Sequence, residues 1–115
     1  MTFGEHIRTW REERGVGLRQ FAKAVGVSPT FVSKMERGIG PLPGEATIRN
    51  MAAFFDRNPD DLLALADKVA ADVLAIIIKQ PAYAPFLRAH AHLTKDQWDT
   101  LASTLPPSQD KNNGA

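Results

Sequence analysis

Apolar residues recur at helical spacing along almost the whole chain. The first stripe contains Phe3, Ile7 and Trp10, and a late one contains Trp98 and Leu101. Residues three and four positions apart lie on the same side of an α-helix, so each stripe marks one buried helix face. No segment alternates apolar and polar residues as a half-buried strand would. The pattern predicts an all-α fold of about eight helices.

Several helix starts are also marked by capping residues. Ser28 precedes Pro29, which places a polar N-cap directly before a proline at the first helical position, and Asn58 stands before a proline in the same way. Both arrangements favour a helix beginning at the proline. Thr94 and Gln97 have the spacing of a capping box. These signals predict helices that begin after residues 28, 58 and 94.

Two of the predicted helices have the spacing of a helix-turn-helix motif. They cover residues 18–25 and 29–37 and are separated by three residues, beginning with Gly26 at a position that suits a left-handed backbone. On the second helix, Val32 and Met35 face one way. The opposite arc of about 100° carries polar side chains suited to a DNA major groove. These polar residues are Thr30, Ser33, Lys34 and Arg37.

The segment from Leu18 to Gly38 closely resembles the Xre/Cro-repressor family of helix-turn-helix proteins. The resemblance extends from Phe3 to about Asp67. It implies a five-helix, lambda-repressor-like DNA-binding domain over residues 1–67, in which residues 28–37 form the recognition helix. A helical C-terminal extension follows this domain.

The resemblance also implies which side chains approach DNA. By motif position, Pro29, Thr30 and Lys34 match residues that approach base edges, and Phe31 and Ser33 match positions near the backbone or a neighbouring base. The start of the first motif helix matches a phosphate clamp at a helix N-terminus. The predicted DNA-binding residues are Gly17, Arg19, Ser28, Pro29, Thr30, Phe31, Ser33, Lys34 and Arg37.

A structural ion pair is implied between Arg11 and Glu36, which would tie the first helix to the third. The sequence departs from the family pattern at Leu18, where a polar phosphate-contacting residue is frequent. A second departure is the loop over residues 39–44, which carries no Lys or Arg. Fewer phosphate contacts predict a shallower salt dependence of binding, since each contact contributes about −0.9 to the log–log slope.

The resemblance ends near Lys68, and residues 68–105 are interpreted from their apolar pattern alone. Residues 69–78 read as a helix that is apolar on more than one face and must therefore be covered on several sides. One interpretation is dimerisation across a palindromic site, a second is a surface for a protein partner, and a third is an extra helical layer on a monomer. The residues expected at a dimer or partner interface are Val69, Val73, Leu74, Ile76, Ile77, Ile78, Phe86, Trp98 and Leu101.

Composition limits the remaining possibilities. The chain has 115 residues and no cysteine, which suits a small core without disulfides and a cytoplasmic, nucleoid-associated location. His90 and His92 point about 160° apart on a helix and make a poor metal pair. We find neither a glycine-rich phosphate loop nor a nucleophile elbow, so we expect no enzyme activity, cofactor or metal. Residues 106–115 are polar and are predicted to form a disordered tail.

The net charge of +1 conceals a difference between the two halves of the chain. Residues 1–57 carry nine basic and six acidic side chains, whereas residues 58–115 carry five basic and seven acidic ones. A basic surplus this small predicts weak DNA binding by one copy, which favours a dimer. The sequence therefore predicts a sequence-specific DNA-binding regulator, most simply a dimeric repressor. The alternative is an antitoxin or anti-activator whose C-terminal helices bind a protein partner while the DNA-binding domain autoregulates.

Overall fold

The fold is known from a computed structural model that describes residues 1–104. The prediction of an all-α fold is confirmed, since the described part of the chain contains helices and no strand. The predicted tail over residues 106–115 lies outside the described residues. The helices are α1 (Phe3–Glu13), α2 (Leu18–Val25), α3 (Pro29–Glu36), α4 (Glu45–Phe54), α5 (Pro59–Leu65), α6 (Ala71–Lys79), α7 (Tyr83–Ala89) and α8 (Lys95–Ser103).

The chain divides into two compact units. The first runs from Met1 to Ala75, and the second begins at Ile76. The first unit therefore contains α1–α5, the connection after α5 and the beginning of α6. The first unit thus extends past residue 67, the predicted end of the DNA-binding domain.

The first unit is built around one apolar core to which all five of its complete helices contribute. The rings of Phe21 and Phe55 stack with centroids 5.3 Å apart, and Phe54 meets Phe21 edge-on at 5.2 Å. Close packing of this kind makes the helices of this unit depend on one another. The buried apolar residues are Phe3, Ile7, Phe21, Ala22, Val25, Val32, Met35, Ile48, Met51, Ala52, Phe55, Leu62, Leu63, Ala66 and Ala70.

The contact between α1 and α3 depends on a glycine. Gly4 is buried, and a Cβ atom added to it would overlap the backbone carbonyl of Met35. The two helix backbones can therefore approach closely only where this side chain is missing. Because Met35 belongs to α3, this approach helps to fix the helix that the sequence predicts to read DNA.

The predicted caps are present at the helix starts. Ser28 Oγ accepts a hydrogen bond from the backbone N–H of Phe31 at 3.0 Å, and Asn58 caps α5 by accepting from Asp60. Thr94 and Gln97 form a capping box at the start of α8. Each cap satisfies a backbone donor that has no acceptor within its own helix.

The second unit contains α7 and α8, and its helices bury no residue. Its ring contacts centre on His90, which lies 4.3 Å from the ring of Phe86 and 6.4 Å from that of Trp98. His90 Nδ1 is also 2.8 Å from the Phe86 carbonyl oxygen. This unit thus has a small aromatic contact where the first unit has a closed core.

Within residues 1–104, no helix is both long and apolar enough to span a lipid bilayer.

Candidate nucleic-acid interface

The turn between α2 and α3 sets the direction of the predicted recognition helix. Gly26 ends α2 in the left-handed region with φ of 81°, and the backbone N–H of Val27 donates to the Ala22 carbonyl at 3.0 Å. A residue with a Cβ atom would be strained in this conformation. Asn50 on α4 adds a support from outside the motif, because its Nδ2 donates to the Val25 carbonyl at 3.4 Å.

The predicted recognition helix, α3, has a buried face and an exposed face. Val32 and Met35 are 0% and 2% exposed and pack into the core, whereas Thr30 and Lys34 lie at the surface. The helix is therefore held by its apolar side while its polar side remains accessible. Ser33 lies at the margin between the two faces and is partly buried.

A shallow cleft joins the start of α2 to the exposed face of α3. Its volume is 420 Å³, and five of the nine predicted DNA-binding residues line it, together with Leu18. The structure thus brings residues from both motif helices onto one surface. The lining residues are Leu18, Arg19, Pro29, Thr30, Ser33 and Arg37.

The other predicted DNA-binding residues lie nearby in different settings. Gly17 is the N-cap of α2 and offers no side chain to that helix's first turn, while Ser28 is exposed and caps α3. Phe31 is half-buried and packs against the core. Leu18 packs there too, which explains an apolar residue at a position where the family often has a polar one.

The cations around this cleft are available to a partner. Arg19, Lys23 and Lys34 are exposed, and none of them is paired with a carboxylate in the described part of the chain. Arg37 donates from Nε to the Ser33 carbonyl at 3.3 Å, which holds its guanidinium along α3. The surface thus offers positive charge without an internal counter-charge.

The loop after α3 contributes no charge to this surface. Gly38 adopts φ of 78°, and the backbone N–H of Ile39 donates to the Lys34 carbonyl at 2.9 Å, which ends the helix. Ile39 and Leu42 are exposed further along the loop. Any phosphate contact in this region must therefore come from backbone N–H groups.

Arg11 and Glu36 form a bidentate pair beneath the interface. Arg11 Nε and Nη2 donate to the two Glu36 carboxylate oxygens, each at 2.9 Å, and Nη1 donates to the Val16 carbonyl at 3.0 Å. Both side chains are largely buried. The hydrogen bonds that Arg11 donates to Glu36 raise the pKa of Arg11 above its ordinary value, despite the opposing effect of burial. The pair joins α1 to α3, the predicted recognition helix.

Sequence reasoning missed two further contacts of basic side chains. Arg14 donates to the Phe54 and Phe55 carbonyls at the end of α4, each at 3.0 Å. The Arg57 guanidinium lies 3.8 Å from the centroid of the Trp10 ring, in a cation–π contact. No local sequence motif indicates the carbonyl partners of Arg14 or the ring partner of Arg57. Both arginines contribute to the basic surplus of residues 1–57, but their contacts stabilise the fold.

The residues expected at a dimer or partner interface are mostly exposed. None of the residues of α6 is buried, although this helix carries Val73, Leu74 and three consecutive isoleucines. Ile77 and Trp98 are partly buried. The exposed members of the predicted set are Val69, Val73, Leu74, Ile76, Ile78, Phe86 and Leu101.

The fold and the α2–turn–α3 geometry define a helix-turn-helix protein. The chain belongs to the helix-turn-helix domain family, whose sequence model matches residues 2–66, and it is of the Xre/Cro type. This is a class of DNA-binding transcription regulators without enzyme activity.

Two relatives from Bacillus subtilis (strain 168) are similar to part of the chain. The HTH-type transcriptional repressor RghR is 41% identical over 51 residues, which are 44% of this chain and 38% of RghR. The uncharacterized HTH-type transcriptional regulator YazB is 35% identical over 60 residues, or 52% of this chain and 86% of YazB. The solved complex of the SinR and SinI proteins shares the fold, with a TM-score of 0.51 at 17% identity over 99% of this chain and all of the matched one.

The similarity to some relatives covers only part of their length. The match spans 38% of RghR and 50% of RghRB, another regulator from the same organism. The similarity therefore does not extend over the whole of those proteins.

Proposed function

We propose that the chain is a transcriptional repressor that binds a specific sequence of duplex DNA as a dimer. The observation that carries this proposal is the cleft between α2 and α3, which gathers predicted base-contacting and phosphate-contacting residues beside unpaired cations. An α-helix with a polar outer face fits the width of the B-form major groove. Double-stranded RNA is a poorer match, because its major groove is deep and narrow.

The side chains divide into two roles on this surface. Thr30 and Lys34 reach base edges from the exposed side of α3, and Ser33 does so from the margin of that side. Hydroxyl groups donate or accept hydrogen bonds at base edges, and Lys donates to guanine acceptors. Arg19, at the start of α2, and Arg37, at the end of α3, bind phosphate oxygens and set the register. The backbone N–H groups after Gly17 add a phosphate contact, because this glycine leaves the first turn of α2 without a side-chain cap.

Dimerisation is proposed because one recognition helix reads only a few base pairs. A two-fold dimer doubles the contact by presenting a second helix about one turn of DNA away. The exposed apolar side chains of α6, α7 and α8 offer surface that a second copy would cover. Repression is supported by the similarity to RghR, whose name describes a transcriptional repressor.

Selection of bound duplexes from a random library with the full chain tests this proposal. We expect a palindrome whose half-sites are about one helical turn apart. Lys34→Ala should weaken binding to the selected site by about tenfold and relax the preference at one base pair. Lys68→Ala is the matched control, because it removes an exposed lysine from the connection between α5 and α6 and should leave binding unchanged. A library recovered without sequence enrichment would contradict the proposal.

The second candidate function is binding of a different protein by the C-terminal helices, as in an antitoxin or anti-activator. The same exposed apolar residues favour it, because they suit a partner as well as a second copy. The two candidates differ in oligomeric state. Analytical ultracentrifugation should show a dimer if the helices pair with themselves, whereas a monomer at micromolar concentration would favour a separate partner.

A further inference from the structure

Glu45 makes a contact between two helix starts that lie far apart in the sequence. It is the first residue of α4, and its Oε1 accepts a hydrogen bond from the backbone N–H of Ala71, the first residue of α6, at 2.9 Å. Its Oε2 accepts from Arg49 Nε at 3.0 Å. Both carboxylate oxygens are thus engaged, which restricts the Glu45 side chain to one arrangement.

This contact lies where the chain leaves the core of the first unit. Asp67 turns the backbone with φ of 58° after α5, and Ala70 is buried at 3% exposure. From Ala71 to Thr104 no described residue is buried. Ala70 is therefore the last buried residue of the described chain, and the N–H of Ala71 donates to an earlier helix of the same unit.

The bond has a physical reason beyond proximity. The first N–H groups of a helix have no acceptor within that helix and are normally satisfied by a residue just before it. At α6 the acceptor for Ala71 is a carboxylate from another helix, which also suits the positive end of the helix dipole. The Ala71 N–H, and secondly Arg49, hold the pKa of Glu45 below its ordinary value.

We propose that Glu45 is a positioning residue that fixes the direction in which α6 leaves the DNA-reading unit, and thereby the half-site spacing that the dimer accepts. This inference rests on the proposed dimeric function. In a dimer joined through its C-terminal helices, the separation of the two recognition helices depends on how α6 begins. One base pair of extra spacing rotates a half-site by about 34°, so a rigid start to α6 restricts the accepted spacings.

The test measures binding of the full chain to palindromic duplexes that differ only in half-site spacing. Wild type should prefer one spacing over its neighbours by about tenfold or more, and Glu45→Ala should reduce that preference to about threefold or less through loss of a charge-assisted hydrogen bond. Glu45→Gln retains an acceptor oxygen and should restore most of the preference. Glu45→Asp keeps the charge at the α4 start but is too short to reach Ala71, so it should behave like the alanine variant.

Glu12→Ala is the control, because Glu12 forms a comparable exposed pair with Arg8 but makes no bond to α6. It should keep the wild-type spacing preference. Faster hydrogen exchange at the Ala71 amide in Glu45→Asp, at an unchanged melting temperature, would show that the effect is local. An unaltered spacing preference in both Glu45→Ala and Glu45→Asp would overturn this inference and leave the proposed dimer intact. A wild-type chain that binds single half-sites without any spacing preference would overturn both.

Discussion

The two regions of this molecule carry similar sequence patterns for helices but differ in how many apolar residues they bury. The first unit buries fifteen apolar residues around α1–α5, whereas α6, α7 and α8 bury none. Apolar content does not explain the difference, since α6 carries Val73, Leu74 and three isoleucines among its nine residues. In the first unit each apolar stripe faces another helix, while on α6 the apolar residues lie on several sides.

This difference indicates that the two regions have different tasks. A closed core makes the first unit a rigid support for the α2–turn–α3 surface. Exposed apolar helices are costly in water unless something covers them, and contiguous apolar surface is typical of association sites. Burial thus indicates that the first unit provides the stability, and the proposed function gives association to the C-terminal helices. Substitutions in each region test this division.

The largest contrast is expected between two phenylalanines. Phe21→Ala should lower the free energy of unfolding of the first unit by about 3–5 kcal/mol, because it leaves a cavity in the core. Phe86→Ala should change it by less than about 0.5 kcal/mol, because Phe86 is 47% exposed. Thermal unfolding followed by Trp10 fluorescence, in a Trp98→Phe background, measures both.

Two other results for Phe86→Ala would be informative. If Phe86→Ala lowered the melting temperature as much as Phe21→Ala does, the C-terminal helices would belong to the same cooperative unit as the core. If it left stability alone but raised the dimer dissociation constant, the association role would be strengthened.

The next effect concerns two arginines of α1, each of which is paired with a glutamate. Arg11→Ala should destabilise the first unit by about 3 kcal/mol, because it strands the buried Glu36 carboxylate. Arg8→Ala breaks an exposed pair with Glu12 and should cost well under about 1 kcal/mol. Chemical denaturation of the two variants measures the difference. A variant Arg11→Ala with an unchanged melting temperature but no DNA affinity would show that Arg11 acts at the interface and not in the fold.

A truncation separates the two regions directly. A chain ending at Ala75 keeps Ala70 in the core and should retain the melting temperature of the first unit. Its affinity for the selected palindrome should fall by about 100-fold, because two linked recognition helices gain from effective concentration and separate ones do not. Fluorescence anisotropy on the same duplex tests this. Equal affinity for the truncated and full chains would remove the case for dimerisation through the C-terminal helices.

Local features of this fold could be predicted from the sequence, whereas long-range partners mostly could not. The caps at Ser28, Asn58 and Thr94 were predictable because a capping residue acts on a backbone group two or three positions away. The apolar stripes indicated the helices for the same reason. Gly4 against Met35 and Glu45 against Ala71 could not be predicted, since periodicity does not specify which distant residue meets a helix.

The candidate site shows the same limit. Thr30, Ser33 and Lys34 were predictable because one helix places them on one arc, and the family resemblance supplied the motif positions. Leu18 looked like a weakness in phosphate binding, but its contact with the core explains it. Arg14 was counted only as positive charge, because its bonds to the carbonyls at the end of α4 depend on a contact 40 residues away.

The smallest expected effect compares the two capping boxes, at Thr2 and Glu5 on α1 and at Thr94 and Gln97 on α8. Thr2→Ala should destabilise the first unit by about 1 kcal/mol, since α1 packs into the core and its cap adds to global stability. Thr94→Ala should fray α8 and leave the melting temperature of the first unit unchanged. Hydrogen exchange of the α8 amides and thermal unfolding distinguish these results. Equal losses of melting temperature in Thr2→Ala and Thr94→Ala would contradict the expectation that only the α1 cap stabilises the first unit.

Low pH distinguishes the two capping boxes further, because only the box of α1 contains a titratable side chain, that of Glu5. The backbone hydrogen bond from Thr2 holds the pKa of Glu5 below its ordinary value. A lowered pKa in the folded state stabilises above the unfolded pKa of about 4.3 and is lost as the pH falls through the folded value. Wild type should therefore melt at a higher temperature than Glu5→Gln, by a constant amount near neutral pH. This difference should disappear below about pH 4. For Gln97→Glu, which introduces the charge at α8, the first unit should show no such pH-dependent difference, because α8 has no buried residue.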